Sequence, residues 1–546
     1  MKRNMASRRW LARRGMVALL TCASLSAGRN TAVAAEGRAA TPAGRIAKVF
    51  DANPTYDLGK PKLTDIWVDP VQGSDSAEGG TRARALKSVK AAMRRLPPDT
   101  RAAKSGYRIM LAEGEYFSGP HAGLWLEGRR ASFEYPIVIE SADGPLKAVL
   151  PPLAIAKSSY VYVLGVKILP GGIKPGDYTR DILLHVINSD HVLVRNVLGF
   201  AAGTTKETLP WVNFKGAQSQ YLYVEQSEFD GAQAVDLDYV ACQYGHVVRS
   251  KFHHSLCEAI YVKGGSAGFV IAGNEIWNAR HSGLCAGQGT GFQYMVKPWI
   301  HYEAYDVKLV NNVIHDTDGP AISIWGGYNC LVAYNTCYRV GKRHTAIFVG
   351  LGGRGPGVGV WDGTCDEHLQ AGGWCSPHRY DDNIPCKNVY IFNNVVLNDD
   401  GFQTDRGHFS ITGPAKTPAG SNLPGEVRAD DGLLIRGNVV WDGPLNHPVL
   451  DPASGGPPAM RPGCDEKSLR QYNSINRLKP RLLDPEHGNY RHVQGSLREA
   501  KGYEIPDYAG GDLPERPRAP QGELCNQPSC DRDGKPRSTV HPGAWQ

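Results

Sequence analysis

Five short segments in the middle of the chain share one pattern, in which a small residue precedes apolar residues at alternate positions. They are Ala-Val-Asp-Leu-Asp (234–238), Ala-Ile-Tyr-Val-Lys (259–263), Gly-Leu-Cys-Ala-Gly (283–287), Ala-Ile-Ser-Ile-Trp (321–325) and Ala-Ile-Phe-Val-Gly (346–350). Because alternate residues of a strand face opposite sides, the pattern predicts stacked strands with apolar residues inward and two lines of residues outward. The predicted lines are Asp236, Tyr261, Cys285, Ser323 and Phe348, and beside them Asp238, Lys263, Gly287, Trp325 and Gly350.

A second repeated position carries serine or asparagine. It is occupied by Ser227, Ser250, Asn274, Asn312, Asn335, Asn394 and Asn438. The spacing is 23 residues from Ser227 to Ser250, 24 to Asn274, and 23 from Asn312 to Asn335. A period of this length suits one turn of a parallel β-helix, with three short strands and three bends. Stacked asparagine side chains satisfy the backbone of tight bends, so we expect a structural column with no catalytic role.

The start of the repetitive region predicts a strand at 65–69, an amphipathic helix at 85–96 and a second strand at 107–111. The segments WVDPVQGSD and IMLAEGEY, with the helix between them, resemble the opening of right-handed parallel β-helix proteins of the pectate-lyase-like group. The resemblance implies that the helix covers the open end of the coil, which would otherwise expose apolar core and strand edges. We therefore predict an all-β chain with one right-handed parallel β-helix (solenoid) at 63–450 and an N-terminal capping helix. Residues 451–546 are expected to form a C-terminal capping segment and a proline-rich tail.

The first 35 residues are typical of a secretory signal. They combine basic residues, a short apolar run at 16–23 and the small-residue site Ala-Val-Ala at 32–34. The run is far shorter than the roughly 20 residues that cross a bilayer. Ser-Arg-Arg-Trp-Leu at 7–11 resembles a twin-arginine signal, with an ordinary basic region as the alternative. We expect a monomer, secreted or periplasmic, with no membrane span and a linker at 36–62.

The net charge and the cysteine content indicate which partners and cross-links to expect. The net charge of +7 is modest for 546 residues and favours an acidic partner, while no concentrated basic run with interleaved aromatics suggests nucleic acid. Of the 12 cysteines, one lies in the signal. In an exported protein the remainder suggest disulfides, with candidates Cys525 with Cys530 and a group of Cys365, Cys375 and Cys386. None has the spacing of a zinc site.

Three insertions interrupt the regular period, at 287–305, 352–385 and 403–431. All of them follow the predicted strand column, so we expect them to wall one groove. A long open groove suits a polymer better than a small molecule. The side chains expected to bind substrate are Gln288, Tyr294, Lys297, Trp299 and Trp325. For each aromatic residue among them, the alternative is simple packing beneath an insertion.

The most informative chemistry in the column is three acids and a lysine. Asp236, Asp238 and Glu258 would repel one another without a cation, and an all-oxygen cluster favours a hard ion such as Ca²⁺. The alternative is that the aspartates keep the strand soluble or pair with Lys263 and Arg249. Lys263, which precedes two glycines, is a candidate base, with an exposed lysine at a strand end as the alternative.

The spacing of Glu258 and Lys263 on one coil is similar to the site of the chondroitinase-B and alginate-lyase β-helix family. The resemblance implies that the glutamate helps to hold calcium and that the lysine abstracts the proton beside a uronate carboxylate. That family also has an arginine on the next coil, where Gly287 and Gln288 stand here. Arg280 or His281, slightly upstream, is the candidate replacement.

These residues predict an exported polysaccharide lyase that cleaves an acidic, uronate-containing polysaccharide by β-elimination. Calcium or Arg280 would neutralise the uronate carboxylate, Lys263 would remove the C5 proton, and His281 or Tyr261 would protonate the leaving oxygen. The alternatives are a C5-epimerase, a glycoside hydrolase that uses the three carboxylates, and a non-catalytic glycan-binding β-helix protein.

Overall fold

The computed structural model describes residues 49–117, 123–170, 182–200, 210–356, 360–375, 381–417, 419–452, 460–508 and 525–545. The predicted signal and residues 36–48 of the predicted linker lie outside these residues. No helix in the described ranges is both long and apolar enough to cross a membrane.

The described chain winds into a coil whose strands form three long sheets, which we call sheets 1, 2 and 3 in the order each turn enters them. Sheet 1 contains Leu63–Val68, Gly106–Leu111, Ile137–Ser141, Ser159–Leu164, Asp190–Arg195, Gln220–Glu225, Gln243–Val248, Ser266–Ala272, Ala304–Tyr305, Lys308–Val310, Gly327–Ala333, Lys387–Phe392 and Leu434–Arg436. Sheet 2 contains Gly114–Glu115, Ala148–Leu150, Lys167–Ile168, Leu198–Phe200, Glu228–Ala232, Lys251–Ser255, Glu275–Trp277, Val313–Thr317, Thr336–Val340, Val395–Asn398, Val439–Asp442 and Ser474–Ile475. Sheet 3 contains Leu124–Glu127, Leu153–Ala156, Ile182–Ile187, Val212–Ala217, Val235–Val240, Ile260–Lys263, Leu284–Gly287, Ile322–Trp325, Thr345–Gly350 and Gly407–Ile411.

Neighbouring strands within each of these sheets run parallel, and equivalent residues of successive turns stack. In sheet 3, for example, Phe214 pairs with Leu237, Leu237 with Ile260, and Ile260 with Leu284. These residues are fully buried and belong to one continuous apolar core inside the coil. The predicted right-handed parallel β-helix is confirmed.

The bends between sheets 1 and 2 are held by a ladder of asparagine side chains, as predicted. Asn274, Asn312, Asn335 and Asn394 each donate from the side-chain amide to the next asparagine at 2.8–3.0 Å, ending through Asn438 at Asn473. Each side-chain oxygen also accepts from the backbone N–H of the preceding rung, as Asn335 does from Asn312 at 2.9 Å. All of these polar atoms are buried, so the ladder satisfies groups that would otherwise destabilise the bends.

The predicted capping helix spans Val89–Arg95, and Ser88 caps its first turn by accepting from the N–H of Ala91 at 3.2 Å. Its apolar face packs in the same core as Leu124 and Leu126 of the first turn. The helix therefore covers the open end of the coil. A 3₁₀ turn at Arg82–Arg84 precedes it, and a short helix at Thr100–Ala103 follows it.

The three insertions pack into one unit beside sheet 3. Gly289–Gly291 pairs in parallel with Gly352–Gly355, which pairs antiparallel with Asp381–Ile384. The remaining elements are a 3₁₀ turn at Phe292–Tyr294, a helix at Gly363–Gln370 and a hairpin of Ala415–Lys416 with Glu426–Val427. An ion pair of 2.6 Å between Arg354 and Glu303, both fully buried, joins the first two insertions.

Residues before 63 and after 450, the predicted ends of the coil, also pack against it. A helix at Glu466–Tyr472 leads into the last strand of sheet 2, followed by antiparallel Leu482–Asp484 and Asn489–His492 with a 3₁₀ turn at Pro485–His487. Val49–Phe50 pairs in parallel with Gln527–Pro528. Lys308 of sheet 1 donates to the carbonyl of Cys525.

The predicted disulfides are not formed. Cys530, Cys365 and Cys386 are free thiols, so neither the Cys525–Cys530 tie nor a bridge through Cys365 or Cys386 exists. Cys365 and Cys375 instead lie in an apolar cluster with Phe292. Spacing in the sequence suggested the bridges, but the thiols are used here as small apolar side chains.

Candidate functional site

The outward face of sheet 3 carries one unbroken line of directly paired residues. From the N-terminal end of the coil it comprises His185, Lys215, Asp238, Tyr261, Cys285, Ser323, Phe348 and Ser410. The packed insertions stand along the edge where the strands of this sheet end, and Gln218 on that edge donates to the carbonyl of Tyr294 at 3.3 Å. The predicted groove therefore has this line as its floor and the insertions as one wall.

The register of the floor differs from the predicted one by two residues at a single turn. Asp238, not Asp236, pairs with Tyr261, and Val240 pairs with Lys263. The six-residue strand Val235–Val240 uses its last four residues to pair with the next strand, which moves Asp236 back towards the bend. A shift of two keeps each side chain on its predicted face, so the alternation of the sequence could not reveal it.

Asp238 lies at the centre of a group of cationic side chains. Its carboxylate is 2.5 Å from the Lys215 ammonium. Burial alone would raise the pKa of Asp238, but the positive charges of Lys215 and Lys263 outweigh this effect and hold the pKa below its usual value. The carboxylate is therefore ionised. With two ammonium groups to one carboxylate, this part of the floor carries excess positive charge.

The Lys263 side chain contacts an aromatic ring and an amide oxygen. Its Nζ atom lies 4.2 Å from the centroid of the Tyr261 ring and 3.4 Å from Oε1 of Gln288. A cation over an aromatic face is attracted by the ring quadrupole. The side chain is only partly buried, so the ammonium remains accessible from the groove.

Glu258 links Tyr261 to His281 on the opposite edge of the floor. Its Oε1 atom is 3.6 Å from Nδ1 of His281, whose side chain is 42% exposed. The hydrogen bond to Glu258 raises the pKa of His281 above its usual value. Burial, and then the charge of Glu258, raise the pKa of Tyr261 far above its usual value, so its phenol stays protonated. Lys263, Tyr261, Glu258 and His281 thus form a row across the floor, which we call the transverse row.

The three predicted calcium ligands do not come together. Asp236 is fully buried, accepts from Asn213 Nδ2 at 2.8 Å, and leaves Oδ2 without a hydrogen-bond partner. Burial raises its pKa well above the usual value. Asp238 is paired with Lys215, and Glu258 with His281. Since the donor atoms of the three acids do not gather around one point, calcium in the groove stays an untested prediction without a ligand set.

Four of the five predicted substrate-binding residues are at least partly exposed, two beside the floor and two on the insertions. Gln288 contacts Lys263, and Trp325, partly exposed, stacks on Phe348 at 4.2 Å, so both line the groove. Tyr294 is partly exposed on the insertion wall. Lys297 pairs with Glu367 of the second insertion at 3.3 Å.

Trp299 is the one substrate contact that the structure contradicts. It is 7% exposed and belongs to the main core cluster, with its ring edge-on to Tyr244. The first insertion folds back over sheet 1 at this point, and the carbonyl of Trp299 lies against Gly265. The ring therefore anchors the insertion and offers no face to a sugar.

Arg280 is exposed on the bend before sheet 3, next to His281. The same edge carries further basic side chains on later turns. Arg343 pairs with Asp318 at 3.4 Å, and Arg406 lies 3.4 Å from the His344 ring. The edge opposite the insertions therefore carries three arginines, of which Arg343 and Arg406 are paired with Asp318 and Asp451.

Sequence reasoning missed three residues of the groove. Lys215 and His185 precede Asp238 on the floor, and burial, with the charge of Lys215, lowers the pKa of His185 to about 4. Trp211 packs with Tyr261 and Cys285. The segments Leu-His-Val at 184–186 and Phe-Lys-Gly at 214–216 follow the same alternation as the later repeats, so the signal for two of the three was present.

Comparisons with known proteins return solved structures at low sequence identity. No protein-family model matches the sequence, and no curated protein matches it. Similar solved structures include the pectate lyase Pel9A, at 14% identity and a TM-score of 0.39, over 83% of this chain and 94% of that one. A module of the mannuronan C-5 epimerase AlgE6 of Azotobacter vinelandii gives 12% and 0.37, over 68% and 94%. PfbA, a surface adhesin of Streptococcus pneumoniae, gives 11% and 0.38, over 64% and 82%.

Proposed function

We propose that the protein is a polysaccharide lyase that cleaves an acidic, uronate-containing polysaccharide by β-elimination in the groove of sheet 3. The observation that carries the proposal is the transverse row, in which an ammonium, a buried phenol and an imidazole paired with a carboxylate lie side by side on the outward face of sheet 3, with Lys263 partly exposed and His281 42% exposed. These groups supply the charge, the acid and the base that the reaction requires.

In the proposed reaction Lys263 neutralises the uronate carboxylate, and Lys215 adds a second positive charge nearby. The carboxylate must be neutralised because the proton on C5 is otherwise too weakly acidic to remove. The Lys263 ammonium lies over the Tyr261 ring, and its charge lowers the pKa of Asp238, so it is the group placed to bind a carboxylate. The basic edge with Arg280 would hold neighbouring uronates of the same polymer.

Proton removal falls to His281. Glu258 raises the pKa of His281 above its usual value and faces its Nδ1 atom, which leaves Nε2 for the substrate. Nε2 takes the C5 proton, the electrons of the C5–H bond form the C4=C5 double bond, and the C4–O bond breaks. Tyr261, which stays protonated, donates its phenolic proton to the leaving oxygen. Lys263 as the base, the assignment made from the sequence, stays an untested prediction.

The first experiment is an ultraviolet absorbance screen on pectate, alginate, glycosaminoglycans and bacterial acidic exopolysaccharides, each with and without a chelator. β-Elimination makes an unsaturated uronide, so the absorbance should rise steadily on at least one polymer. An epimerase changes no absorbance, and a hydrolase releases reducing ends without it. A chain that binds one of these polymers without any rise, or that binds none, contradicts the proposal.

Two substitutions at one position then separate the roles of Lys263. Lys263→Ala should lower kcat/KM by about 100- to 1000-fold, because a charge aimed at the reacting group is lost. Lys263→Arg, which keeps the charge but cannot act as a base, should stay within about tenfold of the unaltered protein. Lys147→Ala, which removes an exposed lysine paired with Glu113 on the first turns of the coil, is the matched control. Equal loss in the Ala and Arg variants would return the role of base to Lys263.

A further inference from the structure

A second cluster of polar side chains lies on the outer face of sheet 2, away from the groove. Asp230 belongs to Glu228–Ala232, and His253 and His254 belong to the next strand, Lys251–Ser255. Asp230 pairs directly with His253 across the two turns. His254 has a φ of 61°, which turns its ring back towards the same point. The side chain of His253 is buried, and that of His254 is 52% exposed.

Three potential ligand atoms converge within this cluster. The Nδ1 atoms of His253 and His254 are 2.8 Å apart, and Oδ1 of Asp230 lies 3.0 Å from the first and 2.9 Å from the second. Three ligands at about 2.1 Å from one ion, separated by angles of about 90°, stand about 3.0 Å from one another. The triangle therefore has the dimensions of one face of an octahedral metal site.

The outer nitrogen of each ring already has a partner. Nε2 of His253 lies 3.2 Å from Oε1 of Glu228, and Nε2 of His254 lies 3.0 Å from the side-chain amide of Asn278. Metal-binding histidines usually donate their second ring N–H to a carboxylate or carbonyl, as Nε2 of His253 can to Glu228. Nε2 of His254 instead faces the Nδ2 donor of Asn278, whose amide must turn to present its oxygen when His254 binds an ion. Trp277 also stacks on the His253 ring at 3.9 Å and fixes its plane.

These contacts create an electrostatic requirement. When the Nε2 atom of His253 donates to Glu228, its Nδ1 is a bare acceptor that faces the Asp230 carboxylate and the second imidazole nitrogen. Nδ1 of His254 carries a proton when Nε2 of the same ring accepts from Asn278, so either this proton or a metal ion in its place relieves the repulsion among the three atoms, which lie 2.8–3.0 Å apart.

We propose that Asp230, His253 and His254 bind one first-row divalent cation of the Zn²⁺ class and thereby clamp two successive turns of the coil. Two imidazole nitrogens and one carboxylate oxygen form a donor set that such ions prefer over Ca²⁺. The exposed side of His254 leaves the remaining positions open to water. The site is independent of the proposed lyase chemistry, because it lies on a different sheet.

The test is metal binding by the full-length protein after chelator treatment. Equilibrium dialysis against Zn²⁺ gives the number of ions bound, and Co²⁺ gives a visible spectrum that reports nitrogen ligation. Asp230→Asn and His254→Asn should each reduce the number of bound ions by one at micromolar Zn²⁺ and abolish one Co²⁺ signal. Asparagine suits position 254 because it tolerates a positive φ.

A graded variant and a control complete the design. Glu228→Gln keeps all three ligands but weakens the second contact of His253, so it should weaken binding by about 10- to 100-fold. His487→Ala removes an exposed histidine that hydrogen-bonds only within its own turn, to Asp484, and should leave binding unchanged. The thermal midpoint should rise with Zn²⁺ in the unaltered chain and in the control, but not in Asp230→Asn.

Two results would overturn the proposal. If the unaltered protein binds no ion, a proton shared between the two imidazoles holds the cluster together. If ions bind equally to the unaltered protein and to both asparagine variants, they lie elsewhere, and His408, Asp442 and His447 form the next group to examine.

Discussion

The asparagine ladder and the floor of the groove are both columns of polar side chains on the same coil, yet they follow opposite rules. The ladder repeats one residue type, and each rung satisfies the next at 2.8–3.0 Å. The floor changes residue type at every turn, from histidine to lysine, aspartate and tyrosine. It also contains buried polar atoms without partners, such as Oδ1 of Asp238. On this coil the repeated asparagine stabilises the bends, and the varied residues of the floor carry the proposed chemistry.

The strongest test of this comparison is to alter the floor, where we expect activity to fall and stability to stay the same. His281→Ala should lower kcat/KM by about 100- to 10,000-fold, since it removes the proposed general base. The unfolding midpoint should change little, because the side chain is 42% exposed. The exposed His487→Ala, in a 3₁₀ turn after the last strand of sheet 2, is the control. A full rate in His281→Ala would remove this residue from the mechanism.

The pH dependence sharpens the same prediction. A base must be neutral to accept a proton, so kcat/KM should rise with pH through the raised pKa of His281. Glu258→Gln removes the main cause of that raised pKa, and the rising limb should move to lower pH. A limb that stays in place would mean that another group titrates.

The opposite outcome, a loss of stability without a loss of activity, is expected in the asparagine ladder. Asn335→Ala should lower the free energy of unfolding by about 3 kcal/mol, because it strands the buried backbone N–H and side-chain amide of Asn312. Activity of the remaining folded protein should persist. Denaturant unfolding measures the loss, with the exposed Asn489→Ala expected to cost under about 0.5 kcal/mol. Equal costs at the two positions would show that the ladder adds little.

A buried acid behind the floor gives a smaller and pH-dependent effect. The pKa of Asp236 is higher in the folded than in the unfolded chain, so its contribution to stability is full at low pH and is lost as pH rises through the folded value. Asp236→Asn should remove this decline and stabilise the protein by about 1 kcal/mol at pH 8 relative to pH 5. Unfolding curves across this range measure it. Parallel declines in both proteins would contradict the assignment.

The smallest expected effect is at the aromatic end of the groove. Trp325→Ala should raise KM about fivefold to tenfold with kcat little changed, because a partly exposed ring stacked on Phe348 offers a sugar about 1 kcal/mol of binding. Steady-state kinetics on the polymer found in the screen will measure this change. A large fall in kcat would place Trp325 at the reacting sugar instead.

The sequence was sufficient for the fold because each local signal agreed with the coil. Alternation identified the strands, the spacing of serine and asparagine gave the length of a turn, and the capping helix differed only at its ends. Its predicted start at 85 became Val89, because Ser88 caps the first turn and the residues before it form extended chain and a 3₁₀ turn.

The site could be predicted only in part, because its register and the packing of the insertions do not follow from the alternation of the sequence. A two-residue register shift preserves the face of every side chain, so Asp236 could not be distinguished from Asp238. The packing of an insertion decides which aromatic residues remain exposed, and it buries Trp299 but not Trp325. Lys263, Tyr261 and Gln288 were predicted and do lie together, since they follow directly from adjacent strands.

The pairing of Val49–Phe50 with Gln527–Pro528 places early and late parts of the chain side by side. A short linker could therefore join these two segments covalently, and the chain could be reopened at an exposed bend without altering the stacked turns. Such a circular permutant would retain the groove and the cluster on sheet 2, and it would allow each turn to be deleted from a free end in succession.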